Sequence, residues 1–257
     1  MCRHLAYLGP PATLRSLVIE PPHALYRQAW APRRQRHGTV NADGFGVGWY
    51  ADGDPAPARY RRAVPIWADP SLADLARVTR TRALLACVRD ATEGCAPDES
   101  AAAPFAAGQW LFSHNGAVPG WPRSVAALAA GLPAAELLDL ECRSDSALVW
   151  ALVLHRLRAG AEPAGAVAEV VEAVADAAGG RLNLLLTDGT AIVATAWGDT
   201  LWYRHRPGRS VLVASEPDDD DPGWREVADR TLLVATPAAV QQSPLTPVPA
   251  RERTARP

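Results

Sequence analysis

Ten short apolar runs, with just two long helical stretches standing side by side among them, most limit the folds open to this chain. The runs are rich in Val, Leu and aromatics and read as strands at about 3–8, 44–51, 59–64, 83–89, 109–114, 182–187, 191–197, 200–205, 210–215 and 231–235. Asp188-Gly189 between two of them signals a hairpin, because Asp-Gly suits a type I′ turn. Trp197-Gly198-Asp199 marks another turn. Helical spacing is best at 146–159 and 163–178, the second stopped by Gly179-Gly180. Shorter helices are expected at 70–79 and 124–130. Two adjacent helices are too few for an alternating βαβ array. The order suits antiparallel sheets covered by helices.

No break in composition divides the 257 residues, so one domain over 1–257 is expected. The Pro-rich stretch after Pro237 is expected to wrap the surface or stay unordered, and Asp218-Asp219-Asp220-Asp221 to be a solvated loop. The net charge of −2 gives no footprint for nucleic acid or an anionic membrane; all 26 basic residues are Arg. No run is long enough to span a bilayer, and no secretory leader is expected. The cysteines are Cys2, Cys87, Cys95 and Cys142, with no CxxC pair and no Cys/His ligand spacing, so no metal is expected. The glycine-rich segment 41–49 fits neither GxGxxG nor a P-loop, and no cofactor is expected. It reads as a loop feeding a strand whose glycines let another backbone pack closely. Few cysteines and no leader point to the reducing cytoplasm.

Four features could carry chemistry. Removal of Met1 would leave Cys2 with a thiol and a free α-amine on one residue, although by position alone Cys2 also reads as a small apolar residue opening a strand. An α-amine, which ordinarily titrates at about 7.7–8.0, can serve as general base toward that thiol. Ser113-His114-Asn115-Gly116 follows a strand. The Asn115 amide and the Gly116 N–H could supply the two donors an amide's developing oxyanion needs, although Asn-Gly also makes plain turns. Arg89, at a strand end before Asp90-Ala91-Thr92, could grip a carboxylate with two parallel bonds or make a surface pair. Asp145 in Arg143-Ser144-Asp145-Ser146 precedes the best helix. It could accept from an ammonium while Ser144 caps the helix, or cap the helix itself.

In this order, these motifs resemble the class II glutamine amidotransferases, the N-terminal-nucleophile amidotransferase family. The resemblance covers roughly residues 2–215. It implies an α+β fold: a four-layer αββα sandwich with two antiparallel sheets. It implies Cys2 as nucleophile, Asn115 and Gly116 as oxyanion hole, Arg89 on the α-carboxylate of a γ-glutamyl group with Thr92 beside it, and Asp145 on the α-amine. The opening residues Met1–Pro10, Leu17–His23, Val40–Tyr50, Ala214–Pro217 and Gly223–Val227 resemble the family's stand-alone branch, which acts in ergothioneine biosynthesis. That branch implies hydrolysis of γ-glutamyl-hercynylcysteine sulfoxide to glutamate and hercynylcysteine sulfoxide.

Departures stand at Asp90, where many relatives carry an aromatic residue, at Glu93, where they carry His, and at Val40, where they carry Arg. They change the wall on the leaving-group side. Nine Trp include Trp30 and Trp121 in irregular segments, candidates for a cation–π pocket; Arg33, Arg34 and Arg36 could draw in an acidic substrate. The competing readings are buried core Trp and a solvated basic loop. The expected partner is a small γ-glutamyl substrate, with neither nucleic acid nor membrane, and a homo-oligomer is open. The alternatives are a glutaminase subunit feeding ammonia to a separate synthetase and a catalytically silent binding protein on the same fold.

Overall fold

The computed structural model describes residues 2–91 and 98–245. In chain order the strands are β1 (Arg3–Thr13), β2 (Phe45–Trp49), β3 (Ala58–Arg62), β4 (Arg80–Val88), β5 (Phe105–Ala107), β6 (Trp110–Ala117), β7 (Arg181–Thr187), β8 (Ile192–Ala196), β9 (Trp202–Arg206), β10 (Ser210–Ala214), β11 (Trp224–Glu226), β12 (Thr231–Ala235) and β13 (Val240–Pro244). The helices are α1 (Leu14–Val18), α2 (Leu25–Gln28), α3 (Leu72–Val78), α4 (Ala126–Ala129), α5 (Ala134–Leu138), α6 (Asp145–Arg158) and α7 (Pro163–Ala178).

Two antiparallel sheets form. One runs β11-β9-β10-β1-β4-β2-β3 and the other β13-β12-β8-β7-β6-β5. Successive side chains on a strand point to opposite faces, and that alternation builds four layers. Leu5 and Tyr7 of β1, with Leu84 and Ala86 of β4, pack under α1, α2 and α3. Their neighbours Ala6, Leu8, Ala83 and Leu85 meet Leu111, Leu185 and Ala194 between the sheets. Phe112, Leu184 and Leu186 turn the other way, onto Val149, Val153 and Val170 of α6 and α7. This is the expected αββα arrangement. Each fully buried Leu or Phe contributes about 1.5–3 kcal/mol.

All ten expected strands and the four expected helices form, with ends shifted by a few residues. Gly179 stops α7 at φ 68°. Three expectations need correction. The Asp188-Gly189 hairpin is not type I′: Thr187 pairs with Ile192, and Asp188 Oδ1 accepts from the N–H groups of Thr190 and Ala191. That Asx turn holds a four-residue loop, in which only Gly189 has positive φ. The Pro-rich stretch supplies β13, which pairs along β12 as an edge strand. The acidic run is only partly solvated: Asp220 is exposed, but Asp218 is buried and Arg204 of β9 reaches Asp218, Asp219 and Asp221. Thr92, Glu93, Cys95, Met1 and the tail beyond 245 lie outside the described residues. Among the described residues no helix is long and apolar enough to cross a membrane.

Candidate active site

Cys2 leads into β1, and β1 pairs with β4 through Arg3 and Val88. Continuing that register sets Cys2 beside Arg89, the residue after β4. Cys2, Arg89, Gly116 and Asp145 line one pocket, together with Cys87 and His114. Four separate elements therefore converge on the thiol.

Arg89 is held at its backbone and its head. Its N–H donates to the Gly44 carbonyl (2.8 Å) and its carbonyl accepts from the Asp43 N–H (2.9 Å). Its Nη1 donates to the Asp43 carbonyl at 3.2 Å. The loop before β2 thus clamps the guanidinium at the pocket. Close backbone approach is also borne out: a Cβ on Gly46 would overlap the Ala103 carbonyl oxygen.

Asp145 opens α6, and Ser144 caps the helix by accepting from the Ala147 N–H at 3.0 Å. Capping and site facing are therefore divided between neighbours. The Asp145 carboxylate accepts from the Val118 N–H at 3.0 Å and the Ser146 N–H at 2.8 Å. It also sets a negative charge at the positive end of a helix dipole, so a ligand ammonium there meets a carboxylate before it meets the dipole.

Gly116 faces the pocket for a reason that pairing makes clear. Its partner on β7 is Leu182, whose N–H donates away to the Trp197 carbonyl at 2.9 Å. The Gly116–Leu182 pair is therefore of the non-hydrogen-bonded kind, and the Gly116 N–H points away from β7. On that side β5 has already ended, since it pairs only with Trp110, Leu111 and Phe112. A side chain at 116 is excluded: its Cβ would overlap the Arg181 carbonyl oxygen and approach His114 Nε2.

Asn115 is fully buried but is not among the residues lining the pocket. Its Nδ2 lies 3.4 Å from Ser215 Oγ, and its Oδ1 has no partner among the described residues. Trp30 packs edge-on against Tyr26 and Trp67, and Trp121 packs against the core around α6 and α7. Neither lines the Cys2 pocket. Arg33 and Arg34 sit elsewhere, their N–H groups bound to the Glu216 carboxylate.

Burial pushes the Cys2 thiol up, with Asp145 adding to the rise and the Asp90 backbone N–H and Arg89 opposing it. Cys87, whose Sγ donates to the Ala103 carbonyl at 2.6 Å, is pushed up by burial as well. His114 and Ser146 were not singled out from sequence. His114 Nε2 donates to the Arg181 carbonyl (2.9 Å), and its Nδ1 accepts from the Ser146 hydroxyl (3.0 Å). The signal for His114 was its place beside Asn115-Gly116; its partners depend on folding. Among the described residues no cluster of His, Cys, Asp and Glu could hold a metal.

A thiol, an inward amide N–H, a guanidinium and a carboxylate at one end of an αββα sandwich define an amidotransferase-type hydrolase site. The sequence profile of the class-II glutamine amidotransferases matches residues 23–208, and the chain belongs to that family. It is 46% identical over 246 residues to the gamma-glutamyl-hercynylcysteine sulfoxide hydrolase of Mycolicibacterium smegmatis, covering 95% of this chain and 100% of that protein. A protein from Silicibacter pomeroyi described as a glutamine aminotransferase class-II domain protein superposes with a TM-score of 0.69 at 25% identity, covering 96% of this chain and 100% of that one. The Bacillus subtilis glutamine PRPP amidotransferase shares the fold at TM-score 0.63 and 15% identity, over 95% of this chain and 49% of that one.

Proposed function

We propose that this protein hydrolyses the γ-glutamyl amide of γ-glutamyl-hercynylcysteine sulfoxide to glutamate and hercynylcysteine sulfoxide. The observation that carries the reading is the pocket in which Cys2, Gly116, Arg89 and Asp145 meet. A γ-glutamyl group ends in an α-carboxylate and an α-ammonium. Arg89 offers the first a planar pair of donors, and Asp145 offers the second an anion. The relative from M. smegmatis supports this leaving group over ammonia. The departures at Asp90 and Val40 agree with a site wall not built for free glutamine.

In this mechanism Met1 is removed and the Cys2 α-amine takes the thiol proton, directly or through a water. The thiolate attacks the γ-carbonyl. The oxyanion receives the Gly116 N–H and the Asn115 amide N–H. Hydrogen bonding favours that use of Asn115. Ser215 Oγ already accepts from the His4 N–H at 3.1 Å, and its own proton needs an acceptor. Turning the Asn115 amide gives that proton Oδ1 and leaves Nδ2 free to donate. The protonated amine then passes its proton to the leaving nitrogen, and water resolves the γ-glutamyl thioester. Thr92 is assigned beside Arg89 by the family pattern alone. We place the enzyme in the cytoplasm, where a thiol nucleophile stays reduced; Cys2, Cys87 and Cys142 are free thiols.

The test is glutamate release from γ-glutamyl-hercynylcysteine sulfoxide and from glutamine, with the intact mass of the purified chain. The expected result is loss of Met1, a clear preference for the sulfoxide, and no turnover by Cys2→Ala. Equal turnover of glutamine would favour the ammonia-supplying subunit, and retained Met1 in an active chain would remove the amine from the mechanism.

A further inference from the structure

The main chain just after Arg89 is turned onto the nucleophile. The Arg89 carbonyl accepts from the Asp43 N–H at 2.9 Å, on the β2 side of β4. The Arg89–Asp90 peptide is not among the cis bonds, and in a trans peptide the C=O and the N–H of one plane point opposite ways. The Asp90 N–H therefore turns to the β1 side. Val88 is the last residue of β4 and lies opposite Arg3. Two residues on, the Asp90 N–H passes the end of β1 and meets the Cys2 sulfur, where it opposes the rise that burial imposes on the thiol.

Asp43 fixes that direction from both sides of Asp90. Its N–H holds the Arg89 carbonyl, and so the peptide plane that carries the Asp90 N–H. Its Oδ2 accepts from the Ala91 N–H at 2.8 Å, which holds the next plane. Its own carbonyl accepts from Arg89 Nη1 at 3.2 Å. One residue thus sets both the guanidinium and the donor on the sulfur.

We infer that the Asp90 main-chain N–H is a catalytic donor to the Cys2 thiolate and that Asp43 is the residue that positions it; the inference rests on Cys2 being the nucleophile proposed above. Once the α-amine takes the thiol proton, a negative sulfur in a buried place needs a donor. The need comes twice. In the second half of the reaction water adds to the thioester carbonyl and gives a proton to the α-amine. The C–S bond then breaks, its electron pair returns to sulfur, and the α-ammonium reprotonates the thiolate. The Asp90 N–H receives the charge at sulfur in both halves, as the Gly116 N–H and the Asn115 amide receive it at oxygen.

The test is the rate at which iodoacetamide labels Cys2 at pH 7, read by mass on the N-terminal peptide. Asp90→Ala and Asp90→Pro both lack the carboxylate and differ in the N–H, which proline does not have. Labelling of Asp90→Pro is roughly 5- to 15-fold slower than labelling of Asp90→Ala, and its pH profile lies higher. Asp43→Ala slows labelling in the same sense, and Asp43→Asn, which keeps an acceptor for the Ala91 N–H, restores most of the rate. Equal labelling of Asp90→Pro and Asp90→Ala overturns the inference; if Asp90→Pro does not fold, equal labelling of Asp43→Ala and Asp43→Asn does so. Labelling needs no substrate, so failure of the proposed function shows separately, as turnover kept in Cys2→Ala.

Discussion

Asp145→Asn separates a substrate contact from a structural anchor. The carboxylate uses one oxygen for each of two backbone N–H groups, Val118 at 3.0 Å and Ser146 at 2.8 Å. An amide of the same shape has one accepting oxygen, so its NH2 must face one of those donors. Asp145 is 3% exposed. Leaving one buried backbone donor unpaired costs ~1–3 kcal/mol, or a Tm lower by roughly 2–12 °C for a chain of this length. If the carboxylate also receives the substrate ammonium, a charge-assisted bond worth about 1.5–3 kcal/mol is lost as well. That lowers kcat/KM about 10- to 150-fold, mainly through KM. The assays are thermal unfolding and steady-state glutamate release. A glutaryl analogue without the α-amine closes the cycle, because variant and wild type should turn it over alike. A lower Tm with KM unchanged on the γ-glutamyl substrate would refute the reasoning and leave Asp145 as a helix anchor alone.

Two further outcomes follow from the same geometry. Gly116→Ala puts a Cβ into the Arg181 carbonyl oxygen and against His114 Nε2, so β6 must shift and carry the Gly116 N–H with it; kcat should fall roughly 100- to 1,000-fold, and wild-type single-turnover rates would exclude that N–H from the oxyanion hole. His4 is pulled down to about 3 by burial, with His114 and Arg3 adding to it. Between that value and its ordinary 6.5 the unfolded chain binds a proton that the folded chain refuses, so stability is lost as pH falls below about 6.5, by up to ~1.4 kcal/mol per pH unit. Urea midpoints between pH 4 and 8 should show that slope flattened in His4→Gln, and an identical slope would mean that other groups carry it.

The ten longer strands were legible because alternation along each one reports two buried faces at once, as in Leu5-Ala6-Tyr7-Leu8. β5 and β11 were not, because three residues hold too little alternation, and β13 is a largely exposed edge among prolines. The acidic run misled for another reason. Composition cannot reveal that Arg204, on a strand many residues earlier, folds across it and that the Trp224 indole N–H bonds Asp219 at 2.7 Å. The candidate-site motifs at Cys2, Arg89, Asn115-Gly116 and Asp145 could be read in order, since each is short and contiguous. What orients them could not. Ser215 lies a hundred residues beyond Asn115, and the inward N–H of Gly116 depends on the register with Leu182.

The same contacts bear on which group can move the proton. His114 and His4 both lie near Cys2, and each looks at first like the missing general base. His114 has both nitrogens committed, Nε2 to the Arg181 carbonyl and Nδ1 to the Ser146 hydroxyl. His4 bonds Ser113 Oγ at 2.6 Å, and a base held near 3 does not take a proton from a thiol whose own affinity burial has raised. His155 pairs with Glu136 and His205 with the Pro237 carbonyl, away from the pocket. His114 instead ties β6, which carries Gly116, to the first turn of α6, which carries Asp145, and so fixes Gly116 relative to Asp145. With those four imidazoles spent on structure, a base matched to neutral pH is the α-amine that Met1 removal would expose on Cys2 itself.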